Sequence, residues 1–232
     1  MELQREVAHR EVSIAAGRVI LDGSLSVPES PSGIVLFAHG SGSSRHSPRN
    51  RFVAEVLQSW GMATLLFDLL TRQEEAVDRQ TGQLRFDIEL LARRLLRATY
   101  WVKTHGDIAS LNVGYFGAST GAAAALVAAS LLRETVAAIV SRGGRPDLAG
   151  DSLGLVRAPT LLIVGGHDEM VLDLNREAMA RMISAPAQLK IIPGATHLFE
   201  EAGALEEVSR LAAEWFAKPF AAVAAANLAG HG

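Results

Sequence analysis

Cysteine is absent from the 232-residue sequence. This absence excludes disulfide bonds, thiolate metal sites and a cysteine nucleophile. No apolar run approaches the roughly 18 residues that a membrane-spanning helix needs. The polar N-terminal segment, Met1 to Glu6, also lacks the apolar centre of a signal peptide. We therefore expect a cytoplasmic protein that has no membrane partner.

An excess of charge of either sign is also missing. The 22 basic and 25 acidic residues leave a formal net charge of −3, which gives no bulk attraction to nucleic acid. The local group Arg93, Arg94 and Arg97 is interpreted as the solvent-facing side of an amphipathic helix. Apolar residues make up 49% of the chain, which is enough for the core of one sizeable domain.

Apolar runs of strand length alternate with helical patterns along the chain. This alternation predicts βαβ units and a mostly parallel sheet, and the continuous hydrophobicity of the runs fits strands buried on both faces. The runs are Ile34 to Ala38, Ala63 to Phe67, Asn112 to Phe116, Val136 to Val140, Thr160 to Val164 and Leu189 to Ile192. Two earlier stretches, Val7 to Ile14 and Arg18 to Val27, are predicted to form an antiparallel pair at one edge.

Helical patterns fill most of the intervals between these runs. The predicted helices are Pro48 to Trp60, Phe86 to Lys103, Thr120 to Leu132, Asp173 to Ile183 and Glu200 to Phe216. The polar stretch Leu70 to Leu84 is predicted to be a surface loop or a short helix. We expect one domain over residues 1–218, followed by an Ala-rich tail over residues 219–232.

A candidate nucleophile lies in the segment Gly117-Ala118-Ser119-Thr120-Gly121, which fits the pattern G-x-S-x-G. A predicted strand precedes the segment and a predicted helix follows it, as a nucleophile elbow requires. Gly117 and Gly121 remove side chains that would collide in so sharp a turn. The alternative interpretation is that Ser119 caps a helix after an ordinary strand-to-helix turn.

A serine hydroxyl needs a base, and the expected chain order in such folds is serine, then acid, then histidine. Asp168 follows the predicted strand that ends at Val164, and His197 follows the one that ends at Ile192. Both side chains would lie beyond the C-terminal ends of parallel strands, where ligands bind in open α/β sheets. The sequence therefore predicts Ser119 as nucleophile, His197 as base and Asp168 as the acid that orients it.

The acid has two rivals. Glu169 adjoins Asp168, but the neighbouring side chain is expected to point elsewhere. Asp147 follows the preceding predicted strand and could supply the acid from there. Among the seven histidines, His197 alone combines the expected chain order with a turn after a strand, while His39 is interpreted as a hydrogen-bonding residue that shapes its loop.

The segment Phe37 to Ser44, which reads FAHGSGSS, follows an early predicted strand and is a candidate oxyanion loop. Acyl transfer builds negative charge on a carbonyl oxygen, and backbone N–H groups can stabilise that charge. We expect one N–H from Thr120 and the other from Ser41, with Gly42 as second choice. A phosphate-cradling loop is the alternative, but the segment lacks the P-loop ending and the dinucleotide-site spacing. We expect no cofactor and no metal.

Four segments together resemble the α/β-hydrolase superfamily, and within it the dienelactone-hydrolase-like and carboxylesterase branch. They are His39-Gly40-Ser41-Gly42, Gly117-Ala118-Ser119-Thr120-Gly121, Gly165-Gly166-His167-Asp168 and Gly194-Ala195-Thr196-His197. The resemblance implies an α/β-hydrolase fold with a mostly parallel, eight-stranded sheet, helices on both faces and Ser–His–Asp acyl transfer without a cofactor. Dienelactone hydrolases proper use a cysteine nucleophile, which this chain lacks, so the resemblance favours a general serine esterase.

Many relatives carry a lid domain after the strand that corresponds to Val136 to Val140. Only residues 141–159 lie between that run and the next, so we expect no separate lid. The leading hypothesis is therefore hydrolysis of small carboxylic esters through an acyl-enzyme. The same triad could serve an acyltransferase, amidase or thioesterase, and a different class is a non-catalytic ligand-binding protein. We expect a small-molecule ester as partner and leave a homodimer open.

Overall fold

An eight-stranded sheet forms the centre of the molecule in a computed structural model that describes residues 6–229, with the side chains of residues 6–222. Its strands are β1 (Val7–Ala16), β2 (Val19–Pro28), β3 (Ile34–Ala38), β4 (Ala63–Phe67), β5 (Val113–Ala118), β6 (Val136–Arg142), β7 (Thr160–Gly165) and β8 (Ala187–Ile192). Their order is β1-β2-β4-β3-β5-β6-β7-β8. Strand β2 pairs antiparallel with both neighbours and every other pairing is parallel, so the predicted mostly parallel sheet is confirmed.

Helices cover both faces of this sheet, as predicted. They are α1 (Pro48–Ser59), α2 (Arg72–Thr81), α3 (Ile88–Lys103), α4 (Thr120–Leu131), α5 (Glu169–Arg181) and α6 (Ala204–Ala229). Helices α1 and α6 pack together on one face, and α3, α4 and α5 cover the other. Between β6 and β7 the chain forms only a short 3₁₀ segment, Pro146–Leu155, so there is no separate lid domain.

Helix α5 begins four residues earlier than the sequence pattern indicated, at Glu169 rather than at Asp173. Asp168 therefore stands at the N-cap position of a helix instead of in a longer loop. The polar stretch from Leu70 to Leu84, predicted to be a surface loop or a short helix, contains helix α2, so the second of these alternatives is confirmed. Its start is fixed by a capping box, in which the Thr71 side chain and the Glu74 side chain each bond the other residue's backbone N–H.

The expectation that Arg94 faces solvent is wrong. Arg93 and Arg97 are exposed, but the Arg94 side chain is buried between α3 and the first hairpin. Its guanidinium donates to Glu74 at 2.6 Å and to the Ala16 carbonyl at 3.2 Å. The carboxylate comes from α2, a segment that the sequence predicted only as a loop or a short helix. No local pattern therefore identified Glu74 as the partner that compensates the buried charge of Arg94.

The Ala-rich tail continues a helix across residue 218, where the sequence indicated a domain boundary. Helix α6 runs to Ala229 with Pro219 inside it, and Phe220 beyond the proline is fully buried. The Phe220 ring stacks on Phe216 with ring centroids 5.8 Å apart. A Cβ added to Gly33 would lie 2.6 Å from Cε2 of that ring, so the glycine leaves the space that the ring occupies. Residues 230–232 of the expected tail lie outside the described residues.

Substituting Phe220→Ala should therefore lower the free energy of unfolding by about 3–5 kcal/mol, the usual cost of truncating a buried phenylalanine. The matched control is Phe86→Ala, because Phe86 is 59% exposed and its loss should cost less than about 0.5 kcal/mol. Urea unfolding followed by circular dichroism measures both. Equal small effects would show that the helix beyond Pro219 does not contribute to the core.

Candidate active site

Ser119 occupies a sharp turn between β5 and α4. Its backbone angles are φ 50° and ψ −123°, a region that residues with a side chain rarely adopt. Two glycines leave the space for this turn. A Cβ on Gly117 would lie 2.8 Å from the Ala122 nitrogen, and a Cβ on Gly121 would lie 2.6 Å from the His39 carbonyl oxygen. The strand–turn–helix arrangement predicted around Ser119 is thus present.

The loop after β3 is held by His39, as the sequence indicated. His39 is buried, and its Nδ1 donates to the Gly40 carbonyl at 3.0 Å while its Nε2 accepts from the Leu69 N–H at 3.0 Å. Both ring nitrogens are therefore used by the backbone, which assigns the neutral tautomer with hydrogen on Nδ1. Burial lowers the pKa of His39, so the neutral form persists below the ordinary range of histidine.

This loop brings Ser41 to the start of α4. The Ser41 hydroxyl lies 3.0 Å from the Thr120 hydroxyl, and a Cβ on Gly40 would lie 3.0 Å from the Ser119 Cβ. Among the described residues, the backbone N–H groups of Ser41 and Gly42 donate to no backbone acceptor. Ser41 lines the same cavity as Ser119 and also a smaller neighbouring cavity, which Gly42 and Thr120 line as well. Gly42 does not line the cavity of Ser119.

Asp168 and His197 meet at the C-terminal ends of β7 and β8. The Asp168 Oδ2 lies 2.6 Å from His197 Nδ1. The backbone after β6 also passes close to the imidazole, because a Cβ on Gly143 would lie 3.5 Å from His197 Cε1. Asp147, the rival acid, instead pairs with Arg145 through two bonds of 2.9 and 2.8 Å. The structure therefore places Asp168, and not Asp147, against His197.

A carboxylate that the sequence pattern missed fixes the turn before His197. Glu201 Oε1 accepts from the Thr196 backbone N–H at 3.0 Å and from the Thr196 hydroxyl at 2.6 Å. The bond from the Thr196 hydroxyl, followed by the backbone bonds, holds the pKa of Glu201 below its usual range. Glu201 therefore stays ionised and acts only as an acceptor. The polar pair T-x₄-E in a turn is too common to have been identified in advance.

Ser119 and His197 line one cavity of about 190 Å³. The residues of this cavity that were not identified from the sequence include Arg49 and Asn50 from the first turn of α1, and Arg142 from the end of β6. Burial, together with the nearby charge of Arg49, lowers the pKa of Arg142 to about 10, so its guanidinium is protonated at neutral pH. Its place at the C-terminal end of a parallel strand was a signal that could have identified it.

The arrangement thus combines a strained serine, a carboxylate-bound imidazole and free backbone N–H groups around one cavity. Within the described part of the chain, no three His, Cys, Asp or Glu side chains are grouped so that they could hold a metal ion. Over the same residues, no helix is both long enough and apolar enough to cross a membrane.

Comparisons with known proteins agree with this architecture. A sequence model of the dienelactone hydrolase family matches residues 21–222. The chain is 58% identical to a dienelactone hydrolase from Anabaena variabilis of known crystal structure, with a TM-score of 0.89 over 91% of this chain and 98% of that one. Est1E from Butyrivibrio proteoclasticus shares the fold at 17% identity, with a TM-score of 0.76 over 91% of this chain and 99% of its own. The α/β-hydrolase fold predicted from the sequence is confirmed.

Two curated relatives from Mycobacterium tuberculosis are named, provisionally, as phosphoribosyl transferases. Each is 65% identical to this chain over 206 residues, which cover 89% of this chain and 45% of the relative. The chain therefore spans about half the length of these relatives. Their names describe proteins that contain much more than the part matched here.

The buried His39 predicts a pH dependence of stability. Because the pKa of His39 is lowered in the folded protein, the unfolded chain binds more protons once the pH falls below about 6.5. The free energy of unfolding should therefore decrease on going from pH 7.5 to 5.5, by up to ~1.4 kcal/mol per pH unit from this group. Urea titrations at several pH values measure the slope.

The variant His39→Gln, which cannot be protonated, should flatten that slope although it also lowers stability at pH 7.5. The matched control is His46→Gln, since His46 is exposed and should leave the slope as in the wild type. Identical slopes in the wild type and His39→Gln would contradict the role assigned to the buried imidazole.

Proposed function

This chain belongs to the dienelactone hydrolase family, and from that premise we propose that it is a serine hydrolase that cleaves small carboxylic esters through an acyl-enzyme. The observation that carries the proposal is the strained Ser119, which lines one cavity with an imidazole that Asp168 holds at 2.6 Å. A helix-capping serine has no need of positive φ, since N-cap residues usually lie in the β region.

In the proposed reaction, the Ser119 hydroxyl attacks the ester carbonyl carbon and passes its proton to His197. Asp168 engages Nδ1, so Nε2 is the ring nitrogen left to accept that proton. The imidazolium then donates the proton to the leaving alcohol, which departs as the acyl-enzyme forms. Water attacks the acyl-enzyme next, with His197 again as base, and releases the acid.

Negative charge develops on the carbonyl oxygen in both steps, and we assign its stabilisation to the backbone N–H groups of Ser41 and Thr120. Thr120 opens helix α4, where N–H groups are free of helical partners and the helix dipole favours an anion. Ser41 is favoured over Gly42 because it lines the cavity of Ser119. Such donors can each be worth about 3 kcal/mol of transition-state stabilisation.

The preference for small esters rests on the short connection between β6 and β7, which holds no lid that could cover a long acyl chain. An acyltransferase, an amidase or a thioesterase would use the same three side chains, so a substrate panel distinguishes these alternatives. A non-catalytic ligand-binding protein would not need a strained serine that lines the same cavity as a carboxylate-bound imidazole. The cytoplasmic location and the homodimer stay predictions.

The names of the mycobacterial relatives suggest a different activity for those longer proteins. We propose that phosphoribosyl transfer, where it occurs, belongs to the part of those relatives that this chain does not span. The support is the serine, histidine and aspartate arrangement around one cavity, which suits acyl transfer.

Covalent labelling tests the nucleophile. A fluorophosphonate probe should label the wild-type protein, and Ser119→Ala should lose both the label and at least ~1000-fold of p-nitrophenyl acetate turnover. The control is Ser59→Ala, an exposed serine at the end of α1, which should be labelled and active as the wild type is. Unlabelled wild-type protein without esterase activity would support the non-catalytic alternative.

The identity of the acid is tested by two matched carboxylates. Asp168→Asn should reduce kcat at least ~100-fold, because the asparagine no longer holds the required tautomer or stabilises the imidazolium. Asp147→Asn should lose less than ~5-fold, since Asp147 pairs with Arg145. Both variants must first show wild-type circular dichroism. The opposite ranking would move the acid to the end of β6 and leave Ser119 and His197 in place.

A further inference from the structure

Arg142 lies beside the candidate nucleophile. The Ser119 backbone N–H donates to the Arg142 carbonyl at 3.3 Å, so the two residues are fixed to each other through the sheet. Arg142 is only 7% exposed, and its side chain lies between α1 and the turn after His197. Its Nη2 is 3.5 Å from Asn50 Oδ1, and its guanidinium carbon is 5.8 Å from the centre of the Phe199 ring.

Within the described part of the chain, the Arg142 guanidinium has no acidic partner. The other well-buried arginines do have one: Arg94 pairs with Glu74, and Arg45 pairs with Asp68. Among the described side chains, no carboxylate lies within 4.0 Å of Arg142, whereas Arg45 and Arg94 each have one. The buried Nε of Arg142 has no acceptor, a feature that it shares with Arg45 and Arg94. Burying a charge without a partner of opposite charge lowers the stability of the fold. The protein accepts this cost at Arg142, although it gives its other buried arginines a carboxylate partner.

A second cation lies next to the first. Arg49, in the first turn of α1, lines the same cavity, and its buried Nε also has no acceptor. Its Nη1 pairs with Glu200 at 3.0 Å, but Glu200 is 65% exposed and does not line the cavity. Ser47, the N-cap residue of α1, lines the cavity, its hydroxyl accepts from the Asn50 N–H, and the helix adds the positive end of its dipole. The residues that line this cavity include no aspartate and no glutamate.

We propose that Arg142 and Arg49 form a subsite for a phosphate group carried by the ester substrate. The inference rests on the proposed function and specifies its substrate class. Two guanidinium groups match the double charge of a phosphate, and Asn50, Ser43 and Ser47 add polar side chains around the same cavity. A carboxylate has one charge and two oxygens, which leaves more of these donors without a partner.

Hydrolysis of matched acetate esters tests the subsite. The substrates are 4-acetoxyphenyl phosphate, 4-acetoxybenzoate and the neutral methyl 4-acetoxybenzoate, with acetate release as the readout. The wild type should favour the phosphate over the neutral ester by at least ~10-fold in kcat/KM. Arg142→Gln and Arg49→Gln should each reduce that preference at least ~10-fold, and Arg142→Lys should restore it only in part because a lysine lacks the planar fork.

The matched control is Arg51→Gln, which removes the same charge from the same helix. Arg51 is exposed, pairs with His46 and lies outside this cavity, so the preference should change less than ~2-fold. An equal drop in the control would attribute the effect to the overall charge of the protein. A wild-type preference for the carboxylate over the phosphate ester would overturn the phosphate assignment, and indifference to charge would overturn the subsite.

Binding without turnover separates this inference from the proposed function. Calorimetric titration of Ser119→Ala with phenyl phosphate should give a Kd that weakens at least ~10-fold when Arg142→Gln or Arg49→Gln is added. If the wild type cleaves no ester while phenyl phosphate binds in this arginine-dependent way, the proposed function falls and the subsite stands. If esters are cleaved but phenyl phosphate does not bind, the subsite falls. If Arg142→Gln fails to fold, Arg49→Gln still tests the subsite, because the Arg49 side chain is partly exposed and its replacement should be tolerated.

Discussion

The lack of space around Ser119 is the constraint on which the rest of the site depends. Gly121 lies so close to the end of β3 that a single methyl group there would overlap the Ala38 and His39 carbonyls. This approach fixes the start of α4 against the loop that carries Ser41. The serine backbone then has to adopt its positive φ, because the strand before it and the helix after it are both held. The strain at one residue and the position of the oxyanion loop are therefore consequences of the same contact.

The parallel sheet extends this constraint to residues that are distant along the chain. Strands β5, β6, β7 and β8 are consecutive neighbours, and each ends at the same edge. Ser119, Asp168 and His197 follow β5, β7 and β8, and Arg142 is the last residue of β6. Because strand ends in one sheet are about 4.8 Å apart, short turns are enough to bring their side chains around a common cavity. The chain order of the predicted triad is thus a direct result of the strand order.

The sequence predicted well those features that depend on local patterns. The six predicted apolar runs coincide with strands β3 to β8 to within a few residues at their ends, and the glycines around Ser119 indicated the tight turn. Features that depend on a partner from elsewhere in the chain were missed. The burial of Arg94 needs Glu74, and the continuation of α6 past Pro219 needs a space at Gly33 for Phe220. Neither partner has a fixed sequence spacing, so no periodicity could have identified it.

Arg142 shows why a buried charge has to be judged by its partners. In the part of the chain described, Arg45 and Arg94 are nearly as buried as Arg142, yet each meets a carboxylate. Arg142 meets an amide oxygen, an aromatic ring and a second arginine's positive field, none of which neutralises it. Stability alone would favour an apolar side chain at that position. The cation is retained next to a cavity that also holds Ser119, where an anionic group of a bound molecule would supply the missing charge. The unfavourable burial of Arg142 therefore supports the phosphate subsite proposed above, because a bound anion would offset the cost of burying the guanidinium.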